Sequence, residues 1–174
     1  CISHVPDTTS KINFVNEDSA FDTNGVQFII NPNDEFGLTR AIWMQQKQQA
    51  DVTVVTVGDI NCEPTLRKCL AIGANKAFRI DIQPTDGFQV AQEIAALCKK
   101  ESYDLIIAGR ESIDYNGAMV PGMIAGLLNY NFVTNCTSLE VEGNHATASR
   151  EIDGGIENVS CELPMVIGAQ KGLV

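Results

Sequence analysis

The chain has 174 residues, 44% of them hydrophobic and 20% charged, enough apolar material for one ordinary globular domain and too much for a disordered segment. Its 22 acidic residues outnumber 12 basic ones for a net charge of −10; with no run of Lys or Arg, such a surface repels a phosphate backbone and argues against a nucleic-acid partner, though not against a small nucleotide in a local pocket. No apolar run reaches membrane-spanning length, and six widely spaced cysteines without a C-x-x-C pair signal no zinc site and fit a reducing, cytoplasmic setting with the thiols serving as buried small hydrophobes.

The sequence opens on Cys1-Ile2-Ser3-His4-Val5, without Met and in the middle of a strand, which predicts further residues ahead of it in the native protein. Lys11 to Val15 and Gly25 to Ile30 flank a polar stretch, Asn16 to Asn24, with Asn24-Gly25 as a turn signal for a hairpin or excursion. Asn31-Pro32-Asn33-Asp34-Glu35 then combines a capping residue, a proline at the first helical position and two first-turn carboxylates. A helix is predicted from Pro32 to Gln49, with Phe36, Ala41, Ile42 and Met44 on its buried side and Trp43 as packing.

Val52 to Val57 is a β-branched run that fits a fully buried parallel strand, closed by Gly58-Asp59. The next helix carries Leu66, Cys69, Leu70 and Ile72 at helical spacing, stops at Gly73, and hands over to a strand near Ala77 to Ile82. A third helix, Phe88 to Lys100, shows Val90, Ala91, Ile94, Ala95, Leu97 and Cys98 on one face. It leads into DLIIAGRESIDYNGAMVPGMIAG, residues 104–126: a buried strand from Leu105 to Ala108, a stop at Gly109, a polar loop with Arg110, Glu111, Asp114 and Asn116, and a helix from Ala118 to Leu128. In an open α/β sheet, that strand-loop-helix junction is where a nucleotide binds, and Gly117 lets the backbone approach a ligand.

Alternating strands and helices from Cys1 to Leu128 predict an α/β fold, a parallel sheet with helices on both faces in one nucleotide-binding domain spanning residues 1–174. Beyond Asn131 the texture changes to the short alternating segments Ser138 to Val141, Ala146 to Ile152 and Ile156 to Cys161, separated by Gly-containing turns; these predict a β-hairpin extension near residues 136–162. Met165 to Ala169 supplies a further buried strand, close to Val174, and predicts that more chain follows in the native protein. No G-x-S-x-G, P-loop or G-x-G-x-x-G motif occurs, His4 and His145 lack partners in the sequence, and the chain is predicted to be no enzyme of its own; a reactive group would come from a bound cofactor.

Several stretches in this order resemble the beta subunits of electron transfer flavoproteins: CISHVPD, Asn31-Pro32 with its acidic helix start, GRESID followed by Gly122-x-x-Ala125-Gly126-x-Leu128, and Arg150-Glu151-Ile152-Asp153-Gly154-Gly155 with Leu163-Pro164 downstream. The resemblance implies an adenine-nucleotide-alpha-hydrolase-like, Rossmann-like fold and a heterodimer whose alpha subunit supplies most of a FAD site. It implies a structural AMP in this chain, electrons passing from flavin dehydrogenases such as acyl-CoA dehydrogenases to an electron-accepting oxidoreductase of the respiratory chain, and, in a bifurcating branch, a second FAD in the AMP place. Carried over residue by residue, it implies that the nucleotide is lined by Cys1, Asn31, Pro32, Asn33, Asp34, Val57, Gly58, Gly109, Arg110, Glu111, Ser112, Ile113, Asp114, Tyr115, Asn116, Gly117, Ala118, Met119 and Val120. Tyr115-Asn116-Gly117-Ala118 follows neither the AMP-binding nor the bifurcating pattern, and Thr8 stands where many relatives carry an aromatic. The family's dehydrogenase-docking loop and its arm toward the alpha subunit fall after Val174. A stand-alone adenine-nucleotide binder of the universal-stress-protein type is the alternative in another class, and its G-x-x-G phosphate loop is not evident; a nucleotide-dependent ligase or hydrolase would need an S-G-G-x-D-S loop, which is also missing.

Overall fold

Apolar runs in the chain become strands only where a neighbouring edge takes up their backbone groups. The computed structural model describes residues 1–174. In chain order the strands are β1 (His4–Pro6), β2 (Phe14–Val15), β3 (Ala20–Phe21), β4 (Phe28–Ile30), β5 (Thr53–Val57), β6 (Lys76–Ile80), β7 (Leu105–Gly109), β8 (Asn131–Glu142), β9 (His145–Ile152), β10 (Gly155–Glu162) and β11 (Met165–Ala169). The helices are α1 (Pro32–Gln48), α2 (Glu63–Ile72), α3 (Gly87–Glu101) and α4 (Val120–Leu128).

β5 pairs β6 in parallel, β7 pairs β11 in parallel, and β11 runs parallel to β8 on its other side. From β8 the sheet continues as an antiparallel meander through β9 to β10. Extended residues Cys1 to Ser3 lie between the two parallel units: Ile2 N donates to Val55 O at 2.8 Å and the Cys1 amino group to Ile107 O at 2.6 Å. The chain then turns into an antiparallel pair, β1 with β4, which the sequence did not announce.

Side-chain alternation along the strands divides the core by sheet face. On one face Val55, Ile106 and Val166 pack with Ala91, Ile94 and Cys98 of α3 and Ile124 and Ala125 of α4. On the other, Val133, Leu139, Met165 and Ile167 pack with Phe36 and Met44 of α1, and Ile2, Val52 and Val54 pack with Leu38 and Ile42 of α1 and Leu66 and Cys69 of α2. Helices thus cover both faces, the arrangement that buries parallel strands completely. α1 lies close on β7: a Cβ at Gly37 would meet Ile107 Cγ2 at 2.6 Å.

Two packing expectations are corrected. Leu70 and Ile72 sit on the outer side of α2, which turns Thr65, Leu66 and Cys69 inward, and Trp43 is 39% exposed on the outer side of α1. Four of the six thiols are buried; Cys1 and Cys161 are half-buried. No helix is long and apolar enough to cross a membrane.

Candidate functional site

The site is built where β5, β7 and the extended N-terminal residues reach their carboxyl ends and where α1 and α4 begin. Cys1, Val57 and Val120, distant in sequence, are half-buried and pack against one apolar cluster. Val57 leads into Gly58, whose N–H donates to Ile80 O at 3.0 Å and whose carbonyl accepts from Arg79 Nη1 at 3.1 Å. A cavity of about 720 Å³ lies elsewhere: residues of β5 and β7 line it, and it takes in Cys1 but no residue of the polar loop.

The start of α1 carries the densest polar contacts. Asn31 is fully buried at the helix N-cap, yet its side chain caps nothing in α1. Its Nδ2 donates to Glu111 O at 2.9 Å and its Oδ1 accepts from Ile113 N at 3.2 Å. Asn33 Nδ2 donates to the same Glu111 carbonyl at 3.0 Å. The buried Asp34 carboxylate accepts from Gly109 N at 2.6 Å and Ser3 N at 2.7 Å. Burial pushes the Asp34 carboxyl above its ordinary range, opposed by these N–H donors. Gly109 is required at this junction, because a Cβ there would meet Asp34 Oδ1 at 2.4 Å, Asn33 Cβ at 2.8 Å and Asn31 Nδ2 at 3.0 Å. The side-chain polar atoms of Asn31 and Asp34 are therefore engaged by the chain itself.

The loop divides in two. Arg110 through Ile113 are half-buried and anchored: Arg110 N donates to Ala169 O at 2.8 Å, and its guanidinium pairs with Glu111 Oε1 at 2.6 Å. Asp114 through Met119 are exposed, Tyr115 to 87%. Asn116 and Ala118 take left-handed backbone angles, φ 50° and 52°, and α4 starts at Val120 rather than at Ala118 for that reason. Asn116 N closes a turn to Ser112 O at 2.8 Å, whereas the N–H groups of Gly117, Ala118 and Met119 donate to nothing in the chain. Successive unpaired N–H groups in alternating backbone conformations, followed by a helix start, form a concavity suited to an anion. A Cβ at Gly117 would meet only Met119 Cε, at 3.9 Å, so this side of the loop is open. These features suit a phosphate group.

Sequence reasoning missed Gln170. It follows β11 at the same carboxyl edge, is buried, receives Arg110 Nη1 at 3.4 Å and donates to Glu151 Oε2 at 2.5 Å, joining the loop to the REIDGG hairpin. A polar residue directly after a fully apolar strand was the available signal. His4 lies off the crevice as a packing residue, stacked on Phe28 with ring centroids 4.4 Å apart and Nδ1 2.8 Å from Thr65 Oγ1.

Residues 18–174 match the family described as "Electron transfer flavoprotein domain". Among curated proteins, the electron transfer flavoprotein subunit beta of Bacillus subtilis is 34% identical over 171 residues, covering 96% of this chain and 66% of the relative. The human protein of the same name is 30% identical over 178 residues, with 99% and 70% covered, and that of Dictyostelium discoideum is 32% identical over 177 residues, also with 99% and 70% covered. The chain thus spans about two thirds of the length of these relatives.

Proposed function

Because this chain belongs to the electron transfer flavoprotein family, among its beta subunits, we propose that it holds one AMP in the crevice at the ends of β5 and β7 and works as the nucleotide-holding half of a heterodimer. The observation that supports this reading is the run of three N–H groups, Gly117 to Met119, that donate to nothing in the chain and precede the start of α4. The phosphate rests on those N–H groups, and backbone groups near Cys1 and Val57 meet the adenine edge. AMP has no redox-active ring, so its role here is to order the loop and the face around it. A FAD held mainly by the alpha subunit supplies the redox chemistry, taking electrons from flavin dehydrogenases and passing them to an acceptor oxidoreductase. This chain positions and shields; it is an electron-carrier subunit rather than an enzyme.

Gly117→Val tests the site directly. The chain leaves that position open, with only Met119 Cε near a Cβ, so the added isopropyl group disturbs a ligand more than the fold. The AMP released by denaturing the purified complex should drop sharply in this variant, and in Asn116→Ala to a smaller degree. Nucleotide content equal to that of the unmodified complex in both variants would remove the loop from the site.

A further inference from the structure

Of the 14 glycines in the chain, two follow an asparagine, and both do so in the same pattern, Asp-x-Asn-Gly: Asp22 to Gly25 and Asp114 to Gly117. The dipeptide matters chemically. A backbone nitrogen can attack the side-chain amide carbon of the asparagine before it and close a cyclic imide, and a glycine at that nitrogen presents no side chain to obstruct the approach. The two sites share a pattern but are held differently. Asn24 and Gly25 sit at the centre of a turn closed by Val26 N donating to Thr23 O at 3.2 Å. There the Asp22 carboxylate ties down the asparagine, with Oδ1 accepting from Asn24 Nδ2 at 2.8 Å and from Asn24 N at 3.0 Å. Asp114 makes no such tether, because its Oδ1 accepts from Tyr115 N at 3.0 Å instead. Asn116 keeps a backbone bond to Ser112 O at 2.8 Å, but its side chain is exposed without a hydrogen bond in the chain, and the Gly117 N–H donates to nothing. Space does not separate the two sites: a Cβ at Gly25 would meet nothing within 4 Å, and one at Gly117 only Met119 Cε at 3.9 Å. The tether does.

We propose that Asn116 is a self-modifying site, converting to aspartate and isoaspartate through a cyclic imide formed with the Gly117 nitrogen. In that step the bond from Gly117 N to Asn116 Cγ forms as the nitrogen gives up its proton, the Cγ–Nδ2 bond breaks, and ammonia leaves. Water then opens the imide at one carbonyl or the other; no oxidant or reductant takes part. The modification stands on the loop alone, whereas its consequence for binding rests on the AMP reading above. Either product places a carboxylate directly before the N–H groups assigned to the phosphate, where like charge opposes the ligand. Conversely, a phosphate held on Gly117 N keeps the attacking atom in place and slows the reaction. Occupied loops keep their asparagine, and empty ones lose it.

The test incubates the complex co-purified with its alpha subunit, stripped of nucleotide, at mildly alkaline pH, and follows the peptides around Asn24 and Asn116 by mass spectrometry and by enzymatic methylation of isoaspartate. Conversion at Asn116 should outpace that at Asn24 several-fold and yield both aspartate and isoaspartate. Gly117→Val, which sets a β-branched side chain beside the attacking nitrogen, should stop conversion at Asn116 and leave the Asn24 rate as it was. Equal rates at the two asparagines, aspartate without isoaspartate, or undiminished conversion in Gly117→Val would each overturn the proposal. The binding arm adds AMP to the same incubation and titrates Asn116→Asp with AMP. AMP should slow Asn116 and not Asn24, and Asn116→Asp should bind AMP about fivefold more weakly or worse, the effect of one added like charge near the phosphate. Conversion at Asn116 that proceeds by the imide route at the same rate with and without AMP would support the modification and refute the AMP reading of this loop.

Discussion

Gly109→Ala is the most informative single substitution, because its consequence can be worked from distances. The added methyl would sit 2.4 Å from Asp34 Oδ1, 2.8 Å from Asn33 Cβ and 3.0 Å from Asn31 Nδ2, so a buried carboxylate must retreat by about 1 Å or more to reach ordinary van der Waals separation. That retreat breaks the 2.6 Å bond from Gly109 N and loosens the 2.7 Å bond from Ser3 N. A hydrogen bond to a charged acceptor contributes about 1.5–3 kcal/mol, and overpacking of this kind costs about 1–3 kcal/mol. The sum is about 2.5–6 kcal/mol, a fall in melting temperature of about 5–25 °C for a chain of this length. Urea unfolding followed by circular dichroism measures it. Gly126→Ala is the matched control: it lies in α4 with nothing within 4 Å of its Cβ, and should stabilise by about 0.5–1 kcal/mol. A Gly109→Ala protein within about 0.5 kcal/mol of wild type would refute the claim that the α1 start and the loop are locked together.

The remaining predictions concern thiols and protons. Cys62, Cys69, Cys98 and Cys136 are buried, with burial pushing the Cys69 and Cys136 thiols to about 11. A thiol reagent at neutral pH should therefore modify Cys1 and Cys161 first, and reach the other four only on unfolding; rapid native-state modification of Cys69 or Cys136 would contradict the packing. Burial also lowers the His4 pKa below 6.5, against an opposing pull from Asp59. A depressed folded-state pKa gives stability that is present above 6.5 and is lost as pH falls through the lowered value. Unfolding free energy should accordingly decrease between about pH 7.5 and pH 5.5 more steeply in wild type than in His4→Phe, and equal slopes would remove His4 as the cause.

What the sequence disclosed and what it hid divide along the range of the interactions. Local chemistry marked α1 at Pro32, with its end near Gln48, because Pro at the first position and acidic first-turn residues act within one turn. The apolar run at Leu105 and the β-branched run ending at Val57 became buried parallel strands, and the alternating segments after Asn131 became the meander β8–β10, because side-chain period reports burial directly. The exposed Leu70 and Ile72 were misjudged, since several apolar residues at helical spacing do not reveal which face of α2 meets the sheet. The pairing of β1 with β4 and the insertion of β11 between β7 and β8 depend on partners far along the chain. The Asn31 contacts were hidden for the same reason, and the residue read locally as an ordinary cap. The loop between β7 and α4 was legible from its glycines and polar composition, but the left-handed Ala118 that delays α4 was not foreseeable from an alanine.

The central claim is that this chain contributes a bound AMP to a complex whose flavin belongs mainly to another subunit. Denaturing the purified heterodimer and counting the released nucleotides by chromatography tests it most directly. One AMP and one FAD per heterodimer is the predicted result; two FAD without AMP, or one FAD with no adenine nucleotide besides it, would contradict it.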